Sequence, residues 1–368
     1  MELALISALI GAVIWLVWDA SLAVCSRKAG AQPVARSQLK EVTVVMCVRN
    51  GGRHVQEWMA RGFNVPVVVV DDGSTDGATE GLDVLRVEGT RPGKKDALSA
   101  GIAAASTEWV ALTDVDCRPA PNWPGDVLAA AGDDTEVVTG VSLPVLGRVR
   151  AVPLVEAVAV ARRYAAAAGA GVPYMGVGRN LAYRKSGFPG FERHAAWASG
   201  DDDLLVQDWP RKEGVKRSDQ IRFSYHNVPT FAPDSLRAWR RMKRRHLTTG
   251  TAYRPQVVAA LALPALAAML WLGGMIALWA LLARAPEPQP DGGASVLHIA
   301  LWIVHGAGGL AWFVHVLTFR AFATRCGLTG WAVWGGLLQP VVFFEQVFLT
   351  LQVAWAMGFG LKSPPKDW

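Results

Sequence analysis

Four stretches of the chain are almost unbroken in apolar residues, and a long segment of different rhythm lies between the first and the second. Residues 3–24 are interrupted only by Ser7, Asp19 and Ser21; residues 257–282, 294–319 and 331–359 are similarly apolar. Some 20 helical residues cross the hydrocarbon of a bilayer, so each stretch predicts a membrane span. The first has no positive segment before it and no small-x-small cleavage site after it, which favours an uncleaved anchor over a signal peptide. Pro340 should kink the last span. Glu345 and Gln346 in its middle are expensive in lipid and should face other helices or a cavity.

The segment between the first two spans alternates short apolar runs with helix-like stretches. Strands are predicted at 42–48, 66–70, 82–87 and 108–113, with helices at 54–63 and 94–105 and an Ala-rich helix within 144–171. Buried strands alternating with helices imply an α/β fold with a mostly parallel sheet, in which ligands bind beyond the strands' carboxyl ends. The domains expected are an anchor at 1–26, a catalytic unit at 31–253 with a basic interfacial helix near 235–250, and a membrane unit of about three helices at 257–359.

Charge orients this arrangement. Arg27, Lys28, Arg36 and Lys40 follow the first span and a basic run at 237–245 precedes the second, so the positive-inside rule places the catalytic unit in the cytoplasm of a multi-pass inner (plasma) membrane protein. The Pro-rich turn at 284–293 would be external. Parity puts the C-terminus outside, although Lys362 and Lys366 in the tail argue the other way. The net charge of +6 comes largely from that juxtamembrane run, which reads as lipid contact rather than nucleic-acid binding. Four scattered cysteines without a CxxC pair give neither a zinc site nor a disulfide framework.

The candidate chemistry sits at strand ends. Asp71 and Asp72 follow one predicted strand, and Asp114 and Asp116 follow another. One such pair can be a turn; two at successive strand ends suggest a site. Carboxylates at i and i+2 can hold a hard divalent cation through oxygen, which would neutralise a diphosphate. No dinucleotide-type Gly-rich loop follows the first strand, which argues against hydride transfer.

Several blocks together resemble the inverting nucleotide-sugar glycosyltransferases of family 2: VVVVDDGSTD at 67–76, GKKDALSAG at 93–101, TDVDC at 113–117, GVGRNLAYRKSGF at 176–188, GDDDLL at 200–205 and WRRMKRRHLTTG at 239–250. The resemblance implies a GT-A fold, Rossmann-like with a mixed, mostly parallel sheet, carried by about four transmembrane helices. By motif, Asp71 or Asp72 is expected at the nucleotide, commonly a uridine diphosphate sugar. Lys94 is expected near the base and diphosphate, and Asp114 and Asp116 at Mg²⁺ or Mn²⁺. The leucine three residues beyond the family's catalytic base selects Asp202 through Leu205, with Asp201 and Asp203 as alternatives. Arg245 matches the family's interfacial arginine, while Met242 and His246 stand where polymer synthases carry Gln and Trp. Gly176, Tyr183 and Arg184 would shape the acceptor side, the last two either structural or acceptor-facing. The implied function is sugar transfer to a lipid-like or glycan acceptor. A processive polysaccharide synthase, needing a homo-oligomer or export partner for its product, is the first alternative. A non-catalytic membrane scaffold is the second.

Overall fold

The computed structural model describes residues 1–30, 41–91, 93–147, 151–285 and 295–358. Arg36, Lys40, most of the 284–293 turn, and Lys362 and Lys366 lie outside the described residues.

A seven-stranded sheet forms the centre of the segment between the first two apolar stretches, with strands β1 (Val42–Val48), β2 (Val67–Asp71), β3 (Leu85–Arg86), β4 (Trp109–Asp114), β5 (Val137–Val141), β7 (Leu181–Arg184) and β8 (Ile221–Asn227). Their order is β3-β2-β1-β4-β7-β5-β8. β7 runs antiparallel to β4 and β5, and the other pairings are parallel. A second, two-stranded sheet pairs β6 (Pro144–Leu146) with β9 (Thr230–Phe231).

Every residue of β1 is buried, because helices cover both faces of the sheet. Val42, Val44, Met46 and Val48 pack with Trp58 of α2 (Arg53–Met59) and Trp123 of α4 (Trp123–Leu128). Val45 and Cys47 point the other way, toward Leu98 and Ile102 of α3 (Lys95–Ala104) and Leu205 and Val206 of α6 (Asp203–Asp208). The edge strand β3 is shorter than the 82–87 alternation suggests. The Leu82 amide donates to Thr79 in a turn, which uses up the first residues of that run.

Four helical segments are long and apolar enough to cross a membrane: α1 (Glu2–Ala29), α9 (Pro255–Leu282), α10 (Val296–Arg325) and Gly330–Trp355. The last comprises a 3₁₀ segment, Gly330–Leu338, followed by α11 (Gln339–Gly358). Pro340 therefore stands in the first turn of α11, where its missing N–H costs nothing, instead of kinking a continuous helix. α1 continues past the expected end at 24 and carries Arg27 and Lys28 in its last turn, where cations favour the helix dipole.

Helix α5 (Ala151–Gly169) joins the two halves. Its Leu154, Val155, Val158 and Tyr164 share one core with Val141 and Phe223 of the sheet and with Phe319 and Phe322 of α10. The joint is also ionic: Arg162 donates to Asp19 of α1, and His315 of α10 bonds the same carboxylate at 3.1 Å. Asp19 and Arg162 have side chains only 2% exposed, so this charge pair is desolvated and each partner depends on the other.

Candidate active site

The chain leaves β4 at Asp114 and turns at once, the Cys117 amide donating back to the Asp114 carbonyl at 3.0 Å. The turn leaves the Asp114 and Asp116 carboxylates close enough to repel each other electrostatically. Burial and the Asp114 charge both push the Asp116 carboxyl above its ordinary range. Lys94, the residue before α3, extends its Nζ to Asp114 at 2.6 Å and to Asp201 at 3.4 Å. One ammonium thus ties the β4 end to the acidic block at 201–203.

Two glycines make this approach feasible. Gly93 has φ +77°, and a Cβ there would lie 2.5 Å from the Ala198 carbonyl oxygen. Gly200 has φ +96°, a conformation that other residues avoid. The buried Lys95 adds a second tie by donating to the Trp197 and Ser199 carbonyls at 2.5 and 3.1 Å.

The three aspartates then differ sharply in environment. Burial would raise Asp201, but Lys94 and Lys95 outweigh it and hold that carboxyl below its ordinary range. Asp202 caps α6 and receives the Asp203 amide on Oδ1 at 2.8 Å and the Gly178 amide on Oδ2 at 2.9 Å. Burial and the Asp201 charge raise its pKa. Asp203 accepts the Tyr253 hydroxyl at 2.5 Å, and burial together with Asp202 pushes it up to about 7.

These groups line a cavity of about 1340 Å³ whose walls come from three parts of the chain. The strand ends contribute Arg49, Asp114 and Asp116; the loops contribute Lys94, Arg179 and Asp201 to Asp203. Helices supply further wall: Trp239, Met242, Lys243, Arg245 and His246 of α8 (Leu236–Thr249), Val258 and Leu261 of α9, Gln346 and Leu349 of α11, and residues of α5. α9 packs on α1 and α10, while α11 packs on α5, α8 and the 3₁₀ segment, so the cavity lies where α9 and α11 part. Val258 of α9 and Thr350 of α11 line it yet are exposed.

The polar groups of the last helix are accounted for here. Glu345 pairs with Arg240 of α8, and Gln346 donates to Glu156, which also holds Lys243 at 2.7 Å. Burial, then Lys243 and Arg245, depress His246 well below the usual histidine range.

The expected site residues divide. Lys94, Asp114, Asp116, Asp201, Asp202, Asp203, Met242, Arg245 and His246 all border the one cavity. Asp71 is occupied elsewhere, accepting from the Ser74 amide, the Thr79 hydroxyl and Arg86. Asp72 accepts the Gly89 amide at 3.2 Å and faces Arg49 at 3.9 Å. Gly176 is lodged against Val206 and Leu181 and borders the side-chain core. Tyr183 and Arg184, read as either structural or acceptor-facing, lie in β7 and do not line the cavity. Tyr183 is fully buried against Phe188 and Trp209, and Arg184 donates to the Thr135 carbonyl and covers Trp109. They are sheet residues.

Arg179 and Arg163 went unnoticed in the sequence. Arg179 sits inside the GVGRN block, between Gly178, which binds Asp202, and Asn180, whose amide is locked by Trp123, Val141 and His226. The neighbouring Gly and Asn were the available signal.

Residues 43–188 match the family described as Glycosyl transferase family 2. No curated protein matches the chain. Among solved structures, the mannosyltransferase PcManGT from Pyrobaculum calidifontis, in complex with GDP-Man and Mn²⁺, is 18% identical with a TM-score of 0.50; the alignment covers 91% of this chain and 99% of that one. Glucosyl-3-phosphoglycerate synthase from Mycobacterium tuberculosis is 19% identical over 71% of this chain and 85% of its own, with a TM-score of 0.37. TarS 1–349 from S. aureus is 14% identical over 87% and 92%, with a TM-score of 0.36.

Proposed function

For a chain whose residues 43–188 form a family 2 glycosyltransferase domain of GT-A fold, set on four membrane-length helices, we propose transfer of one sugar, with inversion, from a nucleotide-sugar donor to a lipid-like hydroxyl acceptor. The observation that carries this reading is the shared cavity. The same space touches the acidic cluster and the apolar side chains of α9 and α11, so a hydroxyl on a bilayer-embedded chain can reach polar chemistry without leaving the membrane.

Asp202 is the group we assign as general base. Each of its oxygens accepts one backbone amide, which fixes the carboxylate and leaves a further lone pair on each for an incoming hydroxyl. Its raised pKa makes it a stronger base than a free aspartate while leaving it largely ionised above that pKa. Lys94, Arg179 and Arg245 supply positive charge for the departing diphosphate, the arginines through planar donor forks suited to phosphate oxygens. A single displacement needs no protein nucleophile.

Asp114 and Asp116 suit a divalent cation. They are two residues apart and half-buried, and their mutual repulsion is only partly relieved by Arg179 and Lys94. Among the described residues no cluster of three metal-ligating side chains occurs. Two carboxylates plus substrate phosphates is the usual way Mg²⁺ is held. A bound Mg²⁺ or Mn²⁺ would neutralise the diphosphate and so make it a better leaving group. The archaeal mannosyltransferase, solved with Mn²⁺ and a nucleotide sugar, is in keeping with this.

The catalytic domain is assigned to the cytoplasmic face of the inner membrane, on the strength of Arg27, Lys28 and the basic α8. UDP-sugars are the first donors to test.

The experiment is a labelled-donor panel with purified protein in lipid, followed by mass and size analysis of the lipid fraction. One sugar, or very few, on a chloroform-soluble product is expected. A ladder or high-mass polymer would replace the single-transfer reading with a synthase. Failure to consume any donor, with Mg²⁺ or Mn²⁺ present, would remove the enzymatic reading.

A further inference from the structure

Resting on that reading, we propose that Arg163 is a recognition site for an anionic group on the acceptor, making the acceptor a lipid that carries phosphate or carboxylate near its reacting hydroxyl. Four buried arginine Nε atoms lack a partner among the described residues, and three of them, on Arg163, Arg179 and Arg245, belong to the same cavity. A buried guanidinium N–H left unpaired costs free energy, so such atoms mark where an oxygen-rich ligand is expected.

Two of the three have an evident use at the donor. Arg179 lies in the field of Asp116, Asp114 and Asp202, and Arg245 stands beside His246 on α8. Arg163 sees different neighbours. Its positive charge acts on the Tyr174 hydroxyl, the Tyr174 ring packs on Tyr253, and the Tyr253 hydroxyl donates to Asp203, next to the assigned base. Arg163 is therefore linked to the catalytic block from its membrane side.

Its helix supports an amphipathic ligand. Pro153, Ala157, Val160 and Arg163 of α5 all line the cavity, so an apolar stripe ends in a cation. The adjacent Arg162 faces the opposite way and is committed to Asp19 and Thr318, and Lys243 is committed to Glu156. Arg163 remains as the cation of α5 that lines the cavity with an Nε lacking a partner among the described residues.

The test uses full-length protein in zwitterionic nanodiscs with saturating UDP and Mg²⁺, titrated with dodecyl phosphate, dodecanol or inorganic phosphate. Dodecyl phosphate should bind at least about 10-fold more tightly than either other probe, the scale of a charge-assisted hydrogen bond. Arg163→Gln should lose about 10-fold for dodecyl phosphate and nothing for UDP, while Arg163→Lys retains most of the affinity. Equal binding by Arg163→Gln and wild type, with UDP binding intact, would overturn the assignment, as would dodecanol binding as tightly as the phosphate ester. Inorganic phosphate binding as tightly as dodecyl phosphate would make this a free-anion site and overturn the lipid. Loss of UDP binding in the wild type indicts the donor reading instead, and the Arg163→Gln comparison still decides this one.

Discussion

The ends of β2 and β4 look alike in sequence, each an apolar run closing on two aspartates, yet the fold uses them in opposite ways. At the β2 end the Asp71 carboxylate is filled by Ser74, Thr79 and Arg86, and its pKa is lowered: those bonds and the Arg86 charge overcome the effect of burial. At the β4 end, Asp114 has one ammonium, and Asp116 is pushed up by burial and by Asp114. The first pair holds a loop together. The second is under-compensated and borders a cavity. A strand-end carboxylate announces a site only when the protein has left its bonding unfinished.

Substitutions should separate the two ends. The largest effect is expected for Asp116→Asn, which should lower transfer by about 10²–10³-fold with little change in melting temperature, the scale lost when one element of leaving-group stabilisation is removed. Single-turnover kinetics beside a thermal melt would check it. Asp71→Ala should do the reverse, costing about 1–3 kcal/mol of stability through unsatisfied buried donors while turnover per folded molecule stays near wild type. Denaturant or thermal unfolding measures that; lost turnover with unchanged stability would erase the distinction.

A smaller effect concerns pH. Asp202 must be ionised to act as base, and its pKa is raised by burial and Asp201, so transfer should fall as pH drops through a value above the ordinary aspartate 3.8. Asp201→Asn removes the neighbouring negative charge, so the acid limb of kcat/KM should move to lower pH. Movement to higher pH would mean that Asp202 is not the titrating group. The smallest effect is for Arg86→Gln. Its side chain is 59% exposed, so its ion pair with Asp71 should contribute less than about 1 kcal/mol, well below Asp71→Ala.

The spans and the sheet were legible because each follows from local periodicity: unbroken apolar runs for α1, α9 and α10, and doubly buried strands for β1 and β4. The candidate site blocks stood out because their order matches a family pattern. The roles of Tyr183 and Arg184 stayed open between structural and acceptor-facing, since a residue within such a block can face the core as easily as a ligand, and β7's antiparallel insertion between β4 and β5 decides which. Asp19 read as an interruption of an anchor. Its partners, Arg162 and His315, are more than 140 and nearly 300 residues away, beyond any local signal. Arg163 was hidden for a related reason: which of two consecutive arginines faces the cavity depends on how α5 is rotated against α1.

The central claim, that the β4-end carboxylates and not the β2-end pair hold the metal and diphosphate, is tested most directly by Mn²⁺ binding. Electron paramagnetic resonance of purified wild type, Asp71→Asn and Asp114→Asn/Asp116→Asn proteins, each with UDP, would count bound Mn²⁺ in each. Wild type and Asp71→Asn should bind one ion with similar affinity, and the double variant should bind none at the same concentrations. Retained binding in the double variant, or its loss in Asp71→Asn with the fold intact, would contradict the claim.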